Sequence, residues 1–226
     1  MIAMRALVLC SLPLLAACAA WNPDHEPDPQ QQLDRLLPAT EADAAALDAN
    51  QREELRQTLE RLAARHTNHV PTQVAAAAMA FADGDVQRAA GLVERVLELA
   101  PANVEARSLR IRLAVADGGM ELAQRLVDDG LRLRPDAAAL HESQAWLHQL
   151  ACRQPQALAA LALAERLGAP AWRVEFHRGL LAEQAGDDDA ARQHYRRVRE
   201  LQPDCEPATQ RLRALAARNG KPAQDG

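Results

Sequence analysis

The chain has 226 residues, 48% hydrophobic and 25% charged, with a formal net charge of −5. That balance is ordinary for a soluble domain and excludes disorder throughout. Acidic and basic residues are interspersed without a basic stripe, which argues against nucleic-acid binding. Aromatics at 3% and sparse β-branched residues argue against a sheet, whereas Ala, Leu, Arg, Glu and Gln favour helices, so an all-α protein is expected.

Residues 1–17 carry one positive charge, Arg5, and then an apolar run from Ala6 to Leu15. The run is too short to span a bilayer and suits the central region of a signal peptide. Leu15-Ala16-Ala17-Cys18 then resembles the lipobox of bacterial lipoprotein precursors. The resemblance implies cleavage before Cys18, lipidation of Cys18 and, since Ala19 and not aspartate follows, an anchor on the periplasmic face of the outer membrane. The alternative is secretion after Ala17 or Ala20 with Cys18 incidental. Acyl chains contribute about 0.8 kcal/mol per buried methylene, enough for several of them to hold a protein at a bilayer surface.

Residues 18–39 read as a proline-rich, disordered tether, extended and unpacked through Pro23, Pro27 and Pro29. At roughly 3.1 Å per residue it reaches on the order of 40 Å from the bilayer. Trp21 is placed either among lipid headgroups or in solvent. From Thr40, with Asp43 as a capping partner, residues 40–69 read as a leading helix or degenerate repeat. Leu55, Leu59 and Leu62 form one stripe, and Asn50 marks a break between two helices unless the segment is a single long helix.

Ala89, Ala123, Ala157 and Ala191 stand 34 residues apart and divide the next stretch into four units, 70–103, 104–137, 138–171 and 172–205. Each holds a first helix, a turn, and a second helix stopped near proline. The turns contain Gly84, Gly118 and Gly186, with Cys152-Arg153-Gln154 the weaker third, and the prolines are Pro101, Pro135, Pro170 and Pro203, the third one place late. Residues 206–219 read as a capping helix with Leu212, Leu215 and Ala216 turned to the last hairpin and Arg211, Arg213 and Arg218 to water, and 220–226 as a frayed tail.

Together these features resemble the tetratricopeptide repeat (TPR) family, and the architecture resembles that of pilotin lipoproteins. The resemblance implies a right-handed α-solenoid of stacked helical hairpins. Small residues are expected at the eighth and twentieth positions; the eighth is Ala77, Ile111, Ala145 and Gly179, with Ile111 the departure. It also implies a concave groove lined by the second, fifth, ninth and twelfth positions of the first helices. By register the partner-binding residues are Val74, Phe81, Glu105, Ser108, Arg112 and Val115, then Glu142, Trp146, Gln149, Arg173, Phe176, Leu180 and Glu183. Phe81, Trp146 and Phe176 would anchor an apolar segment between Arg112 and Arg173, or else simply pack against neighbouring helices.

Chemistry finds little purchase. His141 and His148 share a helix and His66 and His69 a junction, but no third ligand at useful spacing accompanies either pair. Asp187-Asp188-Asp189 reads as a helix start, and Cys152 and Cys205, at opposite ends of their hairpins, as free thiols. We therefore expect no enzyme, no cofactor, no metal and no small-molecule substrate. The expected function is a lipid-anchored periplasmic adaptor that binds a segment of an envelope protein in its groove, with type IV or Tad pilus secretin assembly the most concrete role. The alternatives are a scaffold for cell-wall hydrolases or outer-membrane assembly factors and, in another class, a metal-dependent hydrolase using His141 and His148.

Overall fold

The computed structural model describes residues 28–37 and 47–219. The signal segment, Cys18, Trp21, the Thr40–Asp43 pair and the tail 220–226 lie outside them. Among the described residues are eleven helices and no strand. They are α1 Pro29–Leu36, α2 Ala49–Arg65, α3 Val70–Ala82, α4 Val86–Leu99, α5 Val104–Ala116 and α6 Met120–Leu133. The remainder are α7 Ala138–Leu150, α8 Gln154–Arg166, α9 Ala171–Gln184, α10 Asp188–Leu201 and α11 Glu206–Asn219.

Two readings of the N-terminal part need correction. Within 18–39, residues Pro29–Leu36 are helical and packed, where an extended tether is expected. Proline breaks a helix interior, but at the first helical position its missing N–H is no loss and its fixed φ suits the helix. Asp28 caps this helix by accepting from the Gln30 N–H at 3.3 Å, and Leu33 is buried against Leu55, Leu59 and Leu62 of α2. Burying such a leucine completely stabilises the fold by about 1.5–3 kcal/mol relative to leaving it exposed. Nor is Asn50 a break. It lies in the first turn of α2, where Asp48 and Gln51 form a reciprocal capping box and the helix then runs unbroken to Arg65. Its last carbonyls are satisfied from α3: the buried Gln73 amide donates to Ala63 O at 2.7 Å and to His66 O at 3.2 Å.

The helices α3 to α10 form four hairpins. The period-defining alanines Ala89, Ala123, Ala157 and Ala191 are all fully buried, one at the centre of each hairpin. Three hairpin turns place glycine in the left-handed region, Gly84, Gly118 and Gly186 at φ of 80°, 76° and 77°. In the third, Cys152 takes φ 55°, and it is the one non-glycine residue so placed among the described residues. An L-residue there costs roughly 1–2 kcal/mol. Gly168, also left-handed, ends α8 early, and α9 starts at Ala171, one residue ahead of the 34-residue register.

The eighth position is where two helices of a hairpin approach most closely. In the fourth hairpin Gly179 faces the buried Tyr195 so closely that a Cβ at 179 would lie 2.5 Å from its ring. The glycine and the one large aromatic at the twenty-fourth position are therefore a matched pair. Ile111, the departure at this position, is nonetheless fully buried with Ala123, Val127 and Leu147.

Successive first helices pack on one another, α3 on α5, α5 on α7 and α7 on α9, with no comparable packing between successive second helices. The first helices thus form the inner, concave wall of a solenoid and the second helices splay on its outside. α11 closes the stack, with Ala208 and Leu215 fully buried and Leu212 half-buried against α9 and α10. Ala216, expected to help, is exposed. Arg211 and Arg218 are exposed but tied to Glu183 at 3.5 and 3.1 Å. No described helix is long and apolar enough to cross a membrane.

Candidate functional site

On the inner wall, α5, α7 and α9 bound a cleft of about 400 Å³. It is lined by Ser108 and Arg112 from α5, Ala139, Glu142, Ser143 and Trp146 from α7, and Arg173 and His177 from α9. Five of these, Ser108, Arg112, Glu142, Trp146 and Arg173, belong to the register-derived groove set, and Ala139 stands at the second position of its repeat. Ser143 and His177 are outside that set, yet both occupy the sixth position of their repeats, one helical turn beyond the second. A face defined as i and i+4 from Ala139 and Arg173 would have included them.

The other expected groove residues are placed differently. Phe81 packs half-buried into the first hairpin and presents its ring beneath Arg112, whose guanidinium carbon lies 4.5 Å from the ring centroid. Val115 joins the core of the second hairpin, while Phe176 and Leu180 join that of the fourth, where the Phe176 ring sits 5.7 Å from Tyr195. Glu183 has its carboxylate engaged by α11. The Gln149 carbonyl accepts from Gln184 at 3.1 Å, Val74 is half-buried on α3, and Glu105 is exposed at the start of α5. Of the three aromatics, all half-buried, Trp146 lines the cleft, Phe81 supports an arginine in it, and Phe176 packs against the core of the fourth hairpin.

The cleft's electrostatics are unusual for a surface of paired charges. Glu142 is only 8% exposed and its carboxylate accepts from Arg173 Nη2 at 2.9 Å. Arg112 has no carboxylate partner among the described residues; its contact is the Phe81 ring, and burial lowers its pKa. The buried atoms Ser108 Oγ, Arg173 Nε and His177 Nδ1 also lack hydrogen-bond partners among the described residues. Burial, with Arg173 nearby, holds the His177 imidazole down to about 4, so it is neutral at pH 7. A guanidinium fixed by an aromatic face and free of a carboxylate presents a planar fork suited to a carboxylate or backbone carbonyls. The half-buried Trp146 beside it is an apolar platform.

Of the histidines weighed for metal, His141 and His69 are engaged within the fold, while the buried His148 Nδ1 has no hydrogen-bond partner among the described residues. The buried His141 donates from Nε2 to Pro135 O at 2.9 Å, His69 pairs with Thr72 at 2.7 Å, and His194 with Glu175 at 2.7 Å. Among the described residues no three His, Cys, Asp or Glu side chains stand close enough to hold a metal ion. Asp187 caps α10, Asp189 pairs with Arg192, and the exposed Cys152 and buried Cys205 are both free thiols.

The tetratricopeptide repeat family profile matches residues 80–147, from the end of α3 into α7, and so covers two walls of this cleft. The chain carries tetratricopeptide repeats. The fold is shared with TTC0263, a thermophilic TPR protein of Thermus thermophilus, at TM-score 0.70 and 18% identity over 84% of this chain and 100% of that one. It is also similar to PilW, described as a widely conserved type IV pilus biogenesis factor, at TM-score 0.56 and 20% identity over 67% of this chain and 70% of that one. PilF of Pseudomonas aeruginosa aligns at TM-score 0.54 and 15% identity, covering 66% of this chain and 68% of that one. No curated protein matches the sequence. The tetratricopeptide fold is a protein–protein interaction scaffold, and its exposed inner wall is the surface such a solenoid offers.

Proposed function

We propose that this tetratricopeptide protein is a lipid-anchored adaptor at the periplasmic face of the outer membrane, and that its α5–α7–α9 cleft captures an amphipathic segment of an envelope protein. The carrying observation is Arg112, held over Phe81 in a partly desolvated cleft without a carboxylate partner among the described residues. A partner carboxylate there meets Arg112 while an apolar side chain beside it rests on Trp146. The anchor reading rests on Leu15-Ala16-Ala17-Cys18. Assistance to a type IV or Tad pilus secretin is the pathway we favour, and the likeness of fold to a pilus biogenesis factor supports that choice.

The test is a crosslinking pull-down from membranes with the wild type, Arg112→Glu and Trp146→Ala. One envelope protein should be present with the wild type and absent with both variants, and deletion should abolish secretin multimers. Unchanged eluates would remove the cleft from consideration. Altered peptidoglycan or porin levels with intact secretin multimers would instead point to the scaffold for hydrolases or assembly factors.

A further inference from the structure

Gln73, Arg107, His141 and Glu175 stand 34 residues apart, each at the fourth position of its repeat, where the chain enters a first helix from the preceding second helix. The first three donate across that link. Gln73 donates to Ala63 O and His66 O, Arg107 Nε to Pro101 O at 2.6 Å, and His141 Nε2 to Pro135 O at 2.9 Å. Pro101 and Pro135 are also 34 residues apart, so the last two bonds are one strut repeated. The corresponding carbonyl before the fourth repeat is that of Ala169, and Glu175 cannot donate to it, because an ionised carboxylate only accepts. Its oxygens are engaged inside its own repeat, by Arg178 at 2.7 Å and by His194 at 2.7 Å.

The α8–α9 link, which lacks the strut, is unusual in other respects. It carries Gly168 in the left-handed region, at φ 91°, and α9 leaves it one residue ahead of register. The core that spans it is built from Ala145, Ala157, Ala160, Ala164 and Ala169 around Leu161, Val174 and Leu181, where the preceding core has Ile111, Val127, Leu140 and Leu147. Fewer apolar atoms meet there, and packing attraction grows with their number. Side-chain bonds across the link each have an exposed or half-exposed member: Arg178 to Glu165 at 2.7 Å, Arg173 to Glu142 at 2.9 Å, and Gln184 to Gln149 O and Cys152 Sγ, both at 3.1 Å. Ion pairs that water reaches contribute little. Beyond the link, α9, α10 and α11 are bound into one unit by Tyr195, Val198, Ala208 and Leu215, and by Glu183 holding Arg211 and Arg218. In a stack of repeats each interface contributes separately, so one weak interface lets the parts on either side move as bodies.

We propose that the α8–α9 link is a hinge, on which α9, α10 and α11 turn as one body against the hairpins before them. Arg173 and His177 line the central cleft from the moving side, and Ser108, Arg112, Glu142 and Trp146 line it from the other, so the hinge sets the width of the cleft. The Glu142–Arg173 bond crosses between the two walls. Opening breaks that bond, whereas a captured segment that touches both walls favours the closed form. Use of the hinge in capture rests on this cleft being the binding site; the hinge itself does not.

Distances between paired nitroxide labels test the hinge on the full chain in detergent, with no partner present. Arg125, Ala159 and Gln193 hold equivalent exposed places on α6, α8 and α10, and Cys152→Gly removes the exposed native thiol from the background. Labels on Arg125→Cys with Ala159→Cys span the α6–α7 link, which has its strut, and labels on Ala159→Cys with Gln193→Cys span the α8–α9 link. The second pair should give a distance distribution about twice as wide as the first. Glu175→His supplies the missing donor and should narrow it towards the first, whereas Glu175→Ala, which loses the same two carboxylate bonds, should not. Equal widths for the two pairs would overturn the hinge, and Glu175→His no narrower than Glu175→Ala would overturn the missing strut as its cause. Equal widths with capture still lost in Arg112→Glu would remove the hinge and leave the binding cleft. Unequal widths with unchanged pull-down eluates would leave the hinge and remove the cleft.

Discussion

Two clefts of similar size on this solenoid are built from opposite chemistry. The N-terminal one, about 470 Å³ between α2, α3 and the start of α4, is the larger and is rich in charge, four of its charged groups being joined in one network while Arg52 and Asp83 have no ion pair among the described residues. Arg56 pairs with Glu53 and Glu60, each at 2.5 Å, and Arg88 reaches the same Glu60 at 2.6 Å. The Arg56 hydrogen bond, aided by Gln57, holds the Glu53 carboxyl down to about 2. These are pairs on exposed helix surface, which salt screens and which contribute little. The central cleft, about 400 Å³, has fewer charges and, beside the Glu142–Arg173 pair, leaves one open: Arg112 has no carboxylate partner and three buried polar atoms have no hydrogen-bond partner among the described residues. Of these two, volume favours the first. The state of the polar groups favours the second, because binding is where unmet hydrogen-bonding capacity is used.

Variants that exchange these conditions sharpen the contrast. The largest effect is expected from Arg112→Glu, which replaces the free guanidinium with a repelling carboxylate. Capture of the partner should fall by about 100-fold or more in a pull-down titration, with the melting curve scarcely moved, since Arg112 holds no ion pair among the described residues. Trp146→Ala should weaken capture by about tenfold to 100-fold and also cost about 1–2 kcal/mol in urea unfolding, because the ring packs on the second hairpin's core as well as lining the cleft.

Smaller effects concern the cleft's own stability. Glu142→Ala strips the carboxylate from Arg173 and should destabilise by about 1–2 kcal/mol, a middle value for a pair with one buried and one half-exposed member. His177 adds a pH dependence. The unfolded imidazole takes a proton near pH 6.5 and the folded one only near 4, so the unfolded state holds more protons in that window. Stability should therefore be fully present above about pH 6.5 and fall as the pH drops towards 4, with a slope of about one proton that His177→Asn removes. Last, Arg56→Ala in the N-terminal cleft should leave capture unchanged at any salt concentration, which a binding assay at low and high salt would check.

How far the sequence reaches can be read from particular residues. The hairpins were legible because Ala89, Ala123, Ala157 and Ala191 combine a fixed interval with turns and prolines in phase, and that interval survives even where Cys152 replaces a turn glycine. Pro29–Leu36 was not legible as a helix, since proline in a run of prolines reads as extended chain unless its place at a first turn is seen. In the cleft, register alone gives the direction of a side chain but not its reach. It groups Phe81, Phe176 and Trp146 as equivalent, whereas Phe176 packs against Tyr195, a twenty-fourth-position aromatic that only this hairpin possesses, and does not line the cleft. His177 escaped because the second, fifth, ninth and twelfth positions omit the sixth. The missing counter-charge beside Arg112 is invisible in sequence, since it depends on which carboxylates lie near it in space.

The most direct test places a photo-crosslinking amino acid at Ala139, inside the central cleft, and separately at Ala49, in the lining of the N-terminal one, with the full chain in its own membrane. One envelope protein should crosslink from Ala139 and not from Ala49, and the adduct should vanish when Arg112→Glu is added. An adduct from Ala49 alone, or one from Ala139 that persists with Arg112→Glu, would contradict the assignment of binding to the cleft with unmet polar groups.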